Sequence, residues 1–128
     1  MNAKDAKDAK ENRSWPTYKV HSALGPGLLE SVYEACLAYD TIQAGRRIDR
    51  QVPCPVNYRD VKLKTGFRLD LVVDNLVIIE VKSVDKLAQV HTAQLLTYLR
   101  LTGRKLGLLL NFNVPHMRDG IKRVANGL

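Results

Sequence analysis

The sequence predicts an α/β domain built on a small mixed β-sheet of about four strands flanked by helices. Two runs, Phe67 to Val73 and Val77 to Ser83, alternate in polarity around Asp74-Asn75 and read as a hairpin. Leu87, Val90, Gln94, Leu95, Tyr98 and Leu101 recur at helical spacing, which predicts a helix over 86–101. The following Leu108-Leu109-Leu110 is the centre of a short strand, 105–112, buried on both faces. The order helix, strand, strand, strand, helix, strand, helix gives an α/β domain in which the last strand returns beside the central hairpin.

The remaining elements follow in chain order. Met1 to Arg13 repeats Ala-Lys-Asp and carries no apolar side chain larger than alanine after Met1, so residues 1–14 are expected to form a frayed or disordered tail. A single domain is expected over 15–128, starting near Trp15 or Tyr18. Pro16 and the polar run 11–17 predict that any helix there is short. Gly25-Pro26-Gly27 is a turn signal ahead of a helix from about Leu28 to Ala44, ended by Gly45. Gln51 to Tyr58 alternates as a strand, and Pro53 and Pro55 confine it to an edge or a bulge. Residues 59–66 read as a polar connection, and 114–124 as a terminal helix interrupted or capped near Gly120.

At 128 residues the chain supports one hydrophobic core, and 45% hydrophobic content fits a globular protein. No apolar run approaches the roughly 20 residues of a membrane-spanning helix, and no signal-peptide core stands at the N-terminus, so the expected location is cytoplasmic with no membrane partner. Cys36 and Cys54 form no CxxC pair, which argues against zinc and against a disulfide framework. The net charge of +7 points to a polyanionic partner, nucleic acid ahead of a membrane surface. Arg46, Arg47, Arg50, Arg59, Lys62, Lys64 and Arg68 form one basic segment and Arg118, Lys122 and Arg123 another, and either could hold a phosphate backbone.

Asp70 and Glu80-Val81-Lys82 carry the strongest chemical signal, because they place two carboxylates and an ammonium on adjoining strands. Hard divalent cations take oxygen ligands and keep several waters, and a nearby lysine steadies charge developing on phosphorus. This is the minimal set for metal-assisted phosphodiester hydrolysis. The hairpin register tests it. A two-residue Asp74-Asn75 loop would pair Val73 with Leu76 and put Glu80 on the face opposite to Asp70. A three-residue loop, Asp74-Asn75-Leu76, pairs Val73 with Val77 and sets Asp70 across from Glu80, with Asn75 tolerating a left-handed conformation. The three-residue loop, or an equivalent bulge, is therefore expected.

Val20-His21, Gly27-Leu28-Leu29-Glu30-Ser31-Val32-Tyr33, Asp70, Glu80-Val81-Lys82, Gln94 to Tyr98 and Gly107 to Phe112 occur in an order that resembles the PD-(D/E)XK nuclease superfamily. Within it the chain is most similar to the GxxExxY family, and Gln94 with Tyr98 is similar to the QxxxY pair of RecB-like nucleases. The resemblance covers roughly Val20 to the C-terminus, with Leu69 in place of the superfamily's proline. It implies a restriction-endonuclease-like core in which Asp70 and Glu80 bind Mg²⁺ or Mn²⁺ and the Val81 carbonyl adds a ligand. It also implies that Lys82 activates water and that Glu30 serves as a third acid touching the metal directly or through water. Gln94 and Tyr98 would support the lysine and the substrate phosphate.

Glu30, Tyr33 and Glu34 stand at i, i+3 and i+4 and can project toward one site, with Glu30 the leading candidate. His21 and His91 are read as capping or packing residues. The implied function is a metal-dependent nuclease acting on nucleic acid, with DNA favoured by analogy. One active centre in so short a chain would cut one strand, so double-strand cleavage would call for a homodimer. The rival reading is a non-catalytic nucleic-acid- or protein-binding module that keeps the nuclease fold.

Overall fold

Pro16 opens the first helix of the computed structural model, which describes residues 15–127. Proline suits the first helical position, where its fixed φ is already helical and its missing N–H would have had no partner. Helix α1 spans Pro16–Leu24 and α2 Glu30–Gln43. Strands β1 (Ile48–Tyr58), β2 (Val61–Val73) and β3 (Val77–Lys82) follow, then α3 (Gln89–Thr102), β4 (Leu106–Asn111), a 3-10 turn (Met117–Gly120) and β5 (Ile121–Ala125). The proposed tail, 1–14, lies outside the described residues.

The described strands form one five-stranded sheet in the order β1-β2-β3-β4-β5. β1, β2 and β3 form an antiparallel meander, β4 runs parallel to β3, and β5 pairs antiparallel with β4. Every residue of β4 is buried, as its three consecutive leucines require. One core joins the sheet to α1 and α2, through Tyr18, Tyr33, Leu37, Leu71, Val81, Leu110 and Phe112 among others. A second joins the opposite face to α3, through Leu69, Val72, Ile78, Leu95, Leu99 and Leu109. The result is a mixed sheet between helical layers, as the restriction-endonuclease-like expectation required. No helix among the described residues is long and apolar enough to cross a membrane.

Two segments differ from the sequence reading. Residues 114–124 do not form a terminal helix; they give the 3-10 turn and β5, which raises the strand number from about four to five. Ile121 and Val124, three apart, would share a helix face, but on a strand they point to opposite sides of the sheet and seal one core each. Pairing with the free edge of the fully buried β4 decides between the two. Residues 59–66 are not a plain connection either, because β2 begins at Val61 and pairs with β1 as far as Tyr58↔Val61. β1 is an edge strand with a register shift between Cys54 and Val56, where the prolines led one to expect it.

β2 pairs with β3 only over Leu71 to Val73, so the distal half of the β1–β2 hairpin continues past that ladder as a two-stranded arm. Tyr58, Val61 and Leu63 are exposed on it, as are Arg59, Lys62 and Lys64. Gly103 ends α3 in the left-handed conformation, and Gly107 lets α3 settle on β4, since a Cβ there would stand 3.0 Å from Leu95.

Candidate active site

The β2–β3 turn has the three-residue loop that the carboxylates need. Val73 pairs with Val77, Val72 with Ile78 and Leu71 with Ile79, so the register leads to Asp70 and Glu80 one step beyond the last paired residues, and the two carboxyls lie close enough to interact. Asp74 and Asn75 take φ of 52° and 57°, and Leu76 N–H donates to Val73 O at 3.0 Å. Asp and Asn tolerate that region better than bulkier residues. Asp74 anchors the turn laterally, accepting at Oδ1 from Arg47 N–H at 3.0 Å.

At Asp70 the two strands part. Its carboxylate substitutes for the lost backbone partner, with Oδ2 accepting the Val81 N–H at 2.8 Å. Leu69 and Leu71, two apart, enter different cores, so the normal alternation of β2 breaks at this aspartate. The Val81 side chain is buried against α1 and α2, which by period two turns Glu80 and Lys82 toward the α3 face.

Glu80 is only 6% exposed, and its Oε1 has no hydrogen-bond partner among the described residues. Burial above all, then the negative charge of Asp70 and a hydrogen bond shared with it, pushes the Glu80 carboxyl up to about 9; Lys82 pulls weakly the other way. Such a carboxyl is protonated at neutral pH. Tyr98 lies within the same field: burial, then the charges of Glu80 and Asp70, raise its hydroxyl above the ordinary value. Its ring stacks on Phe67 with centroids 4.0 Å apart and planes 6° apart, which pins this part of α3 to β2.

The first helix of the motif is distributed differently from expectation. Tyr33 turns into the core, stacked on Phe112 at 4.5 Å, and its hydroxyl donates to Gly25 O at 2.6 Å while accepting Leu28 N–H at 3.1 Å. It therefore clasps the glycine turn. Ser83 Oγ donates to Leu28 O at 2.7 Å and ties that turn to the end of β3. Glu34 is buried; its Oε2 accepts from Arg50 Nη2 at 3.0 Å and its Oε1 from Gln51 Nε2 at 2.6 Å. The same Gln51 amide reaches Asp70 Oδ1 at 3.4 Å. Glu30, one turn earlier, is exposed, and its side chain makes no hydrogen bond or ion pair among the described residues.

The structure thus brings Asp70, Glu80 and Lys82 to one strand end with Tyr98 facing them. Gln94 lies exposed one turn before Tyr98 and makes no side-chain hydrogen bond among the described residues. His91 Nδ1 accepts Ala88 N–H at 3.0 Å and caps α3, and His21 Nε2 bonds Val114 O at 2.7 Å, both structural tasks. Gln51 was not among the residues singled out from the sequence, because a polar residue opening an alternating strand carries no signal of its own.

Among the described residues no three His, Cys, Asp or Glu side chains cluster closely enough to form a complete protein cage for a metal. Two convergent carboxylates, one with a buried unpartnered oxygen, suit a cation that keeps most of its waters, as Mg²⁺ does. The residues present fit such an ion, which Asp70 and Glu80 would hold.

No curated protein and no solved structure matches the chain. The family pattern described as the PD-(D/E)XK nuclease superfamily matches residues 9–124, nearly the whole chain. That span takes in the glycine turn, the carboxylate hairpin, α3 and β5. With Asp70 and Glu80-Val81-Lys82 at the strand ends of a mixed sheet flanked by helices, the chain belongs to the PD-(D/E)XK nuclease superfamily.

Proposed function

We propose that this protein is a Mg²⁺- or Mn²⁺-dependent nuclease of the GxxExxY kind that hydrolyses phosphodiester bonds of DNA in the cytoplasm. The observation that carries the reading is the unpartnered, buried Glu80 oxygen set across from Asp70, with Lys82 next on the same face. Asp70 and Glu80 would hold the cation, and the Val81 carbonyl would add a ligand. When bound, the cation polarises the phosphoryl oxygen and makes its water more acidic.

The protein's own groups do the rest. Lys82, half-buried beside Glu80, orients the attacking water and offsets the charge that grows on the phosphate oxygens. Tyr98, whose hydroxyl stays protonated, donates toward a phosphate oxygen, and Gln94 one turn away supports the same phosphate. Glu30, exposed one turn before Glu34 on α2, is assigned the third acid's role of taking up a water of the cation. Arg59, Lys62 and Lys64 lie along the exposed arm that leaves the sheet at this strand end, suited to a phosphate backbone. One centre per chain cleaves one strand, and a second copy would supply the other cut.

The test is a panel of labelled single-stranded, duplex and branched DNA and of RNA, incubated with Mg²⁺ or Mn²⁺, with Lys82→Ala as control. Metal-dependent cleavage of DNA by the wild type, lost in the variant, is expected. Bound metal with no cleavage of any substrate would replace this reading by a binding module on a nuclease fold.

A further inference from the structure

Gln51 stands directly opposite Asp70. The β1–β2 ladder pairs Arg50 with Leu71 and Val52 with Leu69, which leaves Gln51 and Asp70 as the facing pair between them. Gln51 also has φ of 50°, a left-handed conformation in the middle of a strand, where a residue other than Gly, Asn or Asp is rarely found. Arg68 Nη1 holds its carbonyl at 3.2 Å. The backbone is therefore turned out of strand geometry at the one position that faces the metal-binding aspartate.

The side chain gives that turn a purpose. Gln51 Nε2 donates to Glu34 Oε1 at 2.6 Å and reaches Asp70 Oδ1 at 3.4 Å. A side-chain amide nitrogen carries two hydrogens and no charge, so it can engage two carboxylates at once. A lysine or arginine in its place would neutralise Asp70 and compete with a cation, whereas an amide holds the carboxylate and leaves its charge available. The far end is anchored too, because Glu34 is buried and its other oxygen accepts from Arg50 at 3.0 Å. Asp70 is thereby held from two sides, by Val81 N–H on Oδ2 and by this amide on Oδ1.

We propose that Gln51 is a positioning residue of the metal centre: through the Arg50–Glu34–Gln51 chain it orients the Asp70 carboxylate toward Glu80. The proposal rests on the reading of Asp70 and Glu80 as metal ligands. Groups that orient a ligand typically account for 10- to 100-fold in metal affinity, roughly.

Gln51→Gly separates the side chain from the backbone, since glycine keeps the left-handed conformation without strain and removes only the amide. Mn²⁺ binding to the full chain is read by titration calorimetry, and folding by urea unfolding in chelator. Gln51→Gly is expected to bind Mn²⁺ about tenfold more weakly, with a loss of folding stability too small to unfold the protein at the titration temperature. It should raise the Mg²⁺ concentration for half-maximal cleavage without changing KM for the nucleic acid. Glu34→Gln should weaken Mn²⁺ as well, and the double variant no more than the worse single one, because the two act as one chain. Wild-type affinity in Gln51→Gly, or a weakened affinity that merely follows lost stability, would overturn the proposal. Absence of Mn²⁺ binding by the wild type would instead overturn the metal-site reading beneath it, so the two failures are distinct.

Discussion

Glu80→Gln is expected to stabilise the metal-free protein at neutral pH and to leave it unchanged in mild acid. Glu80 has an ordinary value of 4.5 and is pushed up to about 9 in the folded chain, mainly by burial and by Asp70. The folded protein therefore binds one more proton than the unfolded chain between those values, and its stability falls as pH rises through that window. The contribution of Glu80 is fully present below 4.5 and is lost progressively up to about 9. Each pH unit inside the window is worth about 1.4 kcal/mol, so between about pH 5 and about pH 7.5 the wild type should lose about 3 kcal/mol that a glutamine does not. Glutamine fills nearly the same volume and carries no proton to lose, so other titrating groups cancel in the difference between the two proteins. Urea unfolding in chelator at the two pH values gives that difference directly, and at neutral pH it amounts to roughly 10 °C in Tm. A difference that stays constant with pH, or a glutamine variant less stable at both, would refute the buried, proton-holding Glu80 and the metal site built on it.

The same carboxyl makes metal binding proton-coupled: Mg²⁺ added to the weakly buffered protein near neutral pH should release about one proton per ion, measured with an indicator dye, and Glu80→Gln should release none. Tyr33→Phe removes both hydroxyl bonds at the glycine turn but keeps the ring on Phe112. It should cost roughly 1–2 kcal/mol in urea unfolding and leave Mn²⁺ affinity untouched, which distinguishes a structural tyrosine from a catalytic one. Lys62→Ala with Lys64→Ala should weaken DNA binding in chelator and reduce the slope of log affinity against log salt by about 2, read by fluorescence anisotropy. An unchanged slope would take the arm out of the nucleic-acid path.

What could be read in advance was whatever depended on period and count. The Asp70–Glu80 register followed from period-two alternation and an odd loop, and Val73↔Val77 has that register. The buried β4 and the glycine at the end of α3 came from equally local signals. Long-range pairing decided the rest. Residues 61–66 became strand because Val56, Asn57 and Tyr58 lay ready to pair with Leu63, Lys62 and Val61. Ile121 and Val124 fit a helix face or two faces of a strand equally well, and only the open edge of β4 separates the alternatives. On α2, spacing put Glu30 and Glu34 on one side but could not tell which would meet β1. The structure buries Glu34 against Arg50 and Gln51 and leaves Glu30 in solvent.

The break between β2 and β3 explains why a site forms at this end of the sheet and not at the other. At the turn end, Val73 and Val77 are both buried and face each other across a closed, apolar ladder that offers no carboxylate between the strands. At Asp70 the strands separate, and the N–H of Val81 would be left without a partner unless a side chain supplied an acceptor. A carboxylate fills that place with one oxygen and turns the other toward Gln51, so the residue that repairs the sheet is also the one proposed to bind the cation. Glu80, still inside the sheet, then meets a second carboxylate in low dielectric and holds its proton at neutral pH, a state that costs stability. On the proposed reading, a divalent cation between the two carboxylates would displace that proton and screen the repulsion, and folding and metal binding would be linked through Glu80.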